Sequence, residues 1–391
     1  MKILIPVQNF DPQIGGAEKS LFTLINKIAE KHGVVVLQPG YSDENIQSGN
    51  LFIKKKKLSL LYGILGYSRF FYPEGIRFIY PIYSQGRAWK EIVDEEVRSF
   101  QPDIIITQLN YAPAAIDIAK KYGIPSILFL RSFEHFCLIG FEKGVDCSRD
   151  CGRCLSWRNK MYYFNWRKWL TWHQSAIENA GVVIANSKFV AGLPEAIYNI
   201  DRNIRVLYPA VEITHPMKNP ISKNHITMIN PNRLKGGDIF LKIAERMPDR
   251  SFLAVGRCPR EFSISAEKLQ NVTHINWTEG VWEYYQKTRV LLIPSRWPEA
   301  FGRVAVEAGL FGIPSIATNI GGLPEAVGDG GILIDNLNDI DAWIDAIRTL
   351  DRKEIYADYS SRAFDHAFGF DIENSVRQFK AIVDEELGIE L

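Results

Sequence analysis

The sequence predicts an α/β protein of two Rossmann-like, doubly wound domains facing each other across a cleft. Three observations lead there. Short apolar, β-branched runs alternate with longer helical patterns. That rhythm stops and restarts once, and a chain of 391 residues suits two cores better than one. In the first series Ile3-Leu4-Ile5, Val34-Val35-Val36, Ile104-Ile105-Ile106, Ile127-Leu128-Phe129 and Val182-Val183-Ile184 read as buried parallel strands. Helical stretches such as Ala17 to Lys31 and Ala112 to Lys121 lie between them. The second series opens at Ile226-Thr227-Met228-Ile229. It continues through Phe252-Leu253-Ala254-Val255, Val290-Leu291-Leu292-Ile293 and Ser315-Ile316-Ala317. Alternation of this kind implies right-handed crossovers and a mostly parallel sheet. The seam is expected near Tyr208-Pro209, giving domains over 1–210 and 211–370. The last helical segment, within 371–391, is expected to pack back on the first domain.

Composition narrows the function classes. With 46 Lys+Arg against 45 Asp+Glu, the chain lacks the basic excess of a nucleic-acid binder. No apolar run is long enough to span a bilayer. Met1 to Val7 is too short for a secretory leader and reads as a first strand. Five cysteines suggest no disulfide scaffold, which points to the reducing cytosol.

The richest stretch runs from Pro294 to Ala308, where a buried strand enters a Pro-rich loop and a helix starts near Gly302 or Arg303. A helix start offers free backbone N–H groups and a positive dipole end, a natural seat for a diphosphate. Glu299 lies in the loop and Glu307 about one turn into the helix, where side chains tilt back towards its start. Each carboxylate accepts hydrogen bonds from a vicinal diol such as a sugar edge. Gly15-Gly16-Ala17-Glu18 places two small residues where the first strand turns into a helix. It is not a dinucleotide fingerprint.

Glu299 and Glu307 resemble the E-x7-E signature of retaining glycosyltransferases of family 4, which have the GT-B fold. Gly312-Ile313-Pro314-Ser315, Gly321-Gly322-Leu323-Pro324-Glu325 and Gly15-Gly16-Ala17-Glu18 are similar to the same family's pattern. The resemblance implies that Glu299 bonds the transferred sugar and Glu307 the ribose of a nucleotide-sugar donor. It also implies that the backbone at Phe301, Gly302 and Arg303 meets the sugar and diphosphate. Lys235, in Asn232-Arg233-Leu234-Lys235-Gly236-Gly237, matches the family's diphosphate-binding lysine. An arginine usually precedes it, but Ile229 stands in that region and Arg233 is the substitute on offer. Where the family carries a histidine after an Ile-Pro pair, counting from Ile124-Pro125 gives Arg131, with His135 four residues on. Arg131 would stabilise negative charge, whereas His135 could also move a proton. The first domain would then bind the acceptor and the second the donor.

Two further groups of residues belong to no clear part of that pattern. Cys137, Cys147, Cys151 and Cys154 offer four thiols, enough for a structural zinc, with uncoordinated thiols as the alternative. Asp339-Ile340-Asp341 looks like a metal-binding D-x-D but falls at a helix start, where acids are expected. No catalytic metal and no cofactor are therefore expected. From Leu51 to Lys90 there are eight Lys or Arg and one acid, with Phe70-Phe71-Tyr72 among them. The stretch 157–172 adds Arg158, Lys160, Arg167 and Lys168 among tryptophans and tyrosines. Such surfaces suit a glycan or lipid-linked acceptor and peripheral contact with the inner face of a membrane. The expectation is a retaining glycosyltransferase acting on a hydroxyl acceptor in cell-surface glycan or glycolipid synthesis. A sugar-nucleotide epimerase of the same architecture and a non-catalytic sugar-nucleotide-binding module are the alternatives.

Overall fold

A computed structural model describes residues 1–11, 15–58, 79–137, 141, 151–154, 163–211, 224–276 and 281–391. The chain forms two compact units, Met1–Ala210 together with Ile372–Leu391, and Val211–Asp371.

The first unit is built on strands β1 (Lys2–Pro6), β2 (Gly33–Gly40), β3 (Glu44–Ser48), β4 (Leu51–Lys57), β5 (Ile104–Gln108), β6 (Ser126–Leu130), β7 (Val182–Ala185) and β8 (Arg205–Val206). They lie in the order β3-β4-β2-β1-β5-β6-β7-β8, and only β3 and β4 pair antiparallel. Ile3, Ile5, Val34, Val36, Ile104 and Ile106 pack in one core cluster, and Leu4, Val35, Leu37 and Ile105 in another. Because successive side chains leave opposite faces, both faces are covered, which is why these strands read as unbroken apolar runs. The helix Ile372–Leu387 covers one face, setting Phe379 with its ring 5.9 Å from that of Phe129. Trp89 and Tyr111 fill the other.

The β3–β4 hairpin brings acids to part of the cationic stretch that begins at Leu51. Lys54 to Lys56 extend along β4 and meet acids brought in by the fold: Glu96 at 2.7 Å, Glu44 at 2.8 Å and Asp43 at 3.9 Å. Lys90 pairs with Asp117 at 2.6 Å. Arg69, Phe70, Phe71, Tyr72, Arg77, Trp157, Arg158 and Lys160 lie outside the described residues.

The second unit holds β9 (His225–Ile229), β10 (Ser251–Val255), β11 (Val272–Ile275), β12 (Thr288–Ile293), β13 (Ser315–Thr318) and β14 (Gly331–Ile334). All pairings are parallel, in the order β11-β10-β9-β12-β13-β14. The direction of winding reverses between β9 and β12, and ligands of open α/β sheets bind beyond the carboxyl ends of strands at such a point. Asp339 caps the helix Ile340–Thr349 through a bond from the Ala342 N–H, and Asp341 pairs with Arg246 at 2.5 Å. The D-x-D is thus a helix start. No described helix is long and apolar enough to cross a membrane.

Candidate active site

The loops after β9 and β12 flank the reversal of winding and are tied together by backbone. Arg296 N–H donates to the Leu234 carbonyl at 2.8 Å. Asn232 Oδ1 accepts from the Lys235 N–H at 2.9 Å, and the turn ends at Gly236, whose φ is 80°. A Cβ on Gly236 would overlap the Pro294 carbonyl oxygen, so glycine is what lets the two loops touch. Lys235 is thereby delivered to Glu299, with Nζ 2.6 Å from Oε1. Ser295 Oγ, fully buried, donates to the same oxygen at 2.7 Å. Asn230, Lys235, Glu299 and Val304 help line a small cavity of about 30 Å³ beside this group, room for about one water.

The Glu299 loop is supported from behind. Gly322 N–H donates to the Glu299 carbonyl at 2.7 Å, and a Cβ on Gly322 would fall 2.5 Å from the Ala300 carbonyl oxygen. Phe301 is buried against Phe370, ring centroids 5.5 Å apart, so its side chain belongs to the core. Gly302, at φ 111°, starts the helix Arg303–Gly309. Glu307 is buried on that helix between two donors: Arg303 Nε at 2.8 Å from Oε1, and Tyr285 OH at 3.3 Å from Oε2. Burial, then the adjacent Glu307 charge, pushes the Tyr285 phenol well above its ordinary range. Arg233 is exposed and joins neither group.

In the first unit Gly15 precedes the helix Gly16–Ala29 in extended conformation, and a Cβ there would lie 2.7 Å from Glu18 Oε2. Arg131, buried at the end of β6, stacks over Phe129 at 4.3 Å and approaches the Ala17 carbonyl at 3.4 Å. Gly15, Gly16, Glu18 and Arg131 are therefore neighbours. His135 is not among them. Its ring is fully buried, Nδ1 lies 2.8 Å from His173 Nδ1, and His173 packs on Trp169 at 3.8 Å. Burial drives the His135 pKa down to about 3, so this ring stays neutral inside the core. The proton-transfer role expected of His135 thus falls on an enclosed, neutral ring that faces His173.

Sequence reasoning missed Ser295, Tyr285 and Glu134. Ser295 sits four residues before Glu299, the only local signal among the three. Glu134 encloses its Oε2, and burial with nearby Glu18 raises its pKa to about 7. Among the thiols, Cys137, Cys151 and Cys154 are half-buried, while Cys147 lies outside the described residues. Among the described residues no three His, Cys, Asp or Glu side chains converge as a metal would require.

The chain is similar to known proteins in two long stretches. Residues 14–215 match the family model described as Glycosyltransferase Family 4, and residues 225–352 that described as Glycosyl transferases group 1. An uncharacterized 41.2 kDa protein in the cps region of Klebsiella pneumoniae is 29% identical over 233 residues, covering 53% of this chain and 62% of that one. The D-inositol 3-phosphate glycosyltransferase of Corynebacterium urealyticum is 30% identical over 248 residues, covering 52% and 57%. The matches thus span about three fifths of these relatives' length. The crystal structure of Anabaena HepE in complex with UDP shares the fold, with a TM-score of 0.72, 17% identity, and coverage of 98% of this chain and 100% of that one. With two doubly wound domains of the GT-B class and a family model over more than half its length, the chain belongs to glycosyltransferase family 4.

Proposed function

We propose that this protein moves a hexosyl group from a nucleoside-diphosphate sugar to a hydroxyl acceptor, with retention and without a metal. One observation carries the reading: Lys235 and Glu299 meet at 2.6 Å beyond the carboxyl ends of β9 and β12, with Glu307 on the helix that follows. Lys235 would neutralise the departing diphosphate, Glu299 would orient the sugar, and Glu307 would hold the ribose. The bond from the anomeric carbon to phosphate breaks while the bond to the acceptor oxygen forms on the same face. The acceptor proton passes to the leaving phosphate, so no protein base is required.

The UDP held by the Anabaena structural neighbour supports a nucleotide donor, and the glycosyltransferase activity of the Corynebacterium relative supports a hydroxyl acceptor. The first unit, with Arg131 beside Gly15 and Gly16, is assigned to that acceptor, a glycan or lipid-linked sugar of cell-surface synthesis. Peripheral contact with the inner membrane face belongs to the same reading. Calorimetry with UDP, GDP and ADP on the wild type and Glu307→Ala tests the donor site. Binding by the wild type and loss of at least tenfold affinity in the variant is expected. Equal affinity in both would overturn the reading. Product anomer by NMR, with and without chelator, tests retention and metal independence.

A further inference from the structure

Glu307 has both carboxylate oxygens engaged by donors that differ in origin. Arg303 stands one turn earlier on the same short helix and moves with Glu307. Tyr285 comes from a separate segment, Trp282–Tyr285, which precedes β12. That tyrosine is fully buried, its ring 6.2 Å from Trp282 and 5.7 Å from Phe311. The aromatic packing fixes the ring, and the hydroxyl reaches Glu307 Oε2 at 3.3 Å. Because the phenol's acidity is suppressed there, it keeps its proton and remains a donor.

The terminal torsion of a glutamate is broad, so an isolated carboxylate presents its lone pairs over a wide range of directions. A fixed phenol on one oxygen and a guanidinium on the other remove that freedom. The lone pairs that remain then point in set directions.

We propose that Tyr285 is a positioning residue for nucleoside recognition, its hydroxyl setting the plane in which Glu307 meets the two vicinal hydroxyls of the ribose. This rests on the role of Glu307 proposed above. Two hydroxyls must be met at one angle, so losing the phenolic hydroxyl costs preference for the diol and leaves diphosphate binding intact. A packing role would weaken ligands with and without the diol alike.

The test is calorimetry on the full chain with whichever of UDP, GDP and ADP binds, against the matched 2′,3′-dideoxynucleoside diphosphate. Wild type is expected to prefer the ribose form by about a hundredfold. Tyr285→Phe should cut that preference about tenfold, or ~1.4 kcal/mol, with dideoxy affinity unchanged. Tyr285→Phe added to Glu307→Gln should change nothing further, since the first acts through the second. Glu307→Asp keeps the charge but withdraws it from the fixed phenol, and should lose preference like Tyr285→Phe; it serves alone if the tyrosine variant does not fold. A wild-type preference in Tyr285→Phe or Glu307→Asp, while Glu307→Gln erases it, overturns the proposal. Preference surviving in Glu307→Gln, or no nucleotide bound at all, overturns the role of Glu307 itself and the proposal with it.

Discussion

At the scale of residues, Lys235 and Glu299 are a partly buried ion pair, with side chains 27% and 10% exposed. Removing one partner strands the other, so Lys235→Met should both destabilise the fold and slow transfer. We expect a fall in kcat/KM of about 10²–10³-fold from the lost charge at the leaving group, read by steady-state kinetics. Glu299→Gln should retain more stability, because the amide oxygen still accepts from Ser295. Two groups in the first unit, the buried His135 and the half-buried Glu134, titrate in opposite senses. His135, neutral in the fold down to about pH 3, takes up a proton only on unfolding, so stability falls as pH drops below about 6.5. Glu134, protonated in the fold up to about pH 7, loses its proton on unfolding, so stability falls as pH rises from about 4.5 to 7. Between about pH 4.5 and 6.5 these slopes oppose each other. Glu134→Gln should therefore leave the histidine's effect unopposed, steepening the acid loss by about 1.4 kcal/mol per pH unit in urea titrations. An unchanged slope would refute this pairing. Neither group is legible in sequence: Glu134 and His135 are adjacent, and only packing separates an enclosed imidazole from a carboxyl near Glu18.

At the scale of elements, the sequence shows where strands and motif loops lie, because burial on both faces leaves a continuous apolar run. It does not show β3 and β4. An edge hairpin carrying Lys54 to Lys57 looks like a charge cluster until Glu96, Glu44 and Asp43 are placed beside it. Contacts between loops are equally hidden. Gly236 and Pro294 belong to loops after different strands, and only the order β9-β12 makes them touch. Gly236→Ala should thus force the two loops apart: about 1–2 kcal/mol from the left-handed dihedral, and more from the overlap with Pro294. Melting temperature should fall by several degrees and donor affinity at least tenfold, as Lys235 leaves Glu299. Gly192→Ala, in the helix Lys188–Tyr198 with nothing within 4 Å of the added Cβ, is the control and should be neutral or slightly stabilising. Should both variants melt and bind alike, the loop junction is not what holds the pair together.

At the scale of the whole molecule, two strand–helix series are readable as two doubly wound domains and the last segment as a helix returning to the first, whereas the residues it buries there are a matter of packing. The chain returns to the first unit through Ile372–Leu387, where Phe379, Ile382 and Val383 are buried. Phe379 lies among Phe129, Val182 and Ile184, so the face over β6 and β7 is closed by residues from the far end of the chain. Phe379→Ala would leave a cavity costing about 3–5 kcal/mol, and that cost falls on one unit only. Hydrogen exchange followed by mass spectrometry on the full chain should show protection lost in β1, β5, β6 and β7. Protection in β9, β10, β12 and β13 should be unchanged, since their core is built around Phe240, Phe252 and Trp343. Adding a nucleotide that binds the second unit should raise protection there by mass action and leave the defect in the first unit uncorrected. Equal loss of protection in both sheets would mean that the two cores unfold as one, and that the last helix stabilises the molecule as a whole.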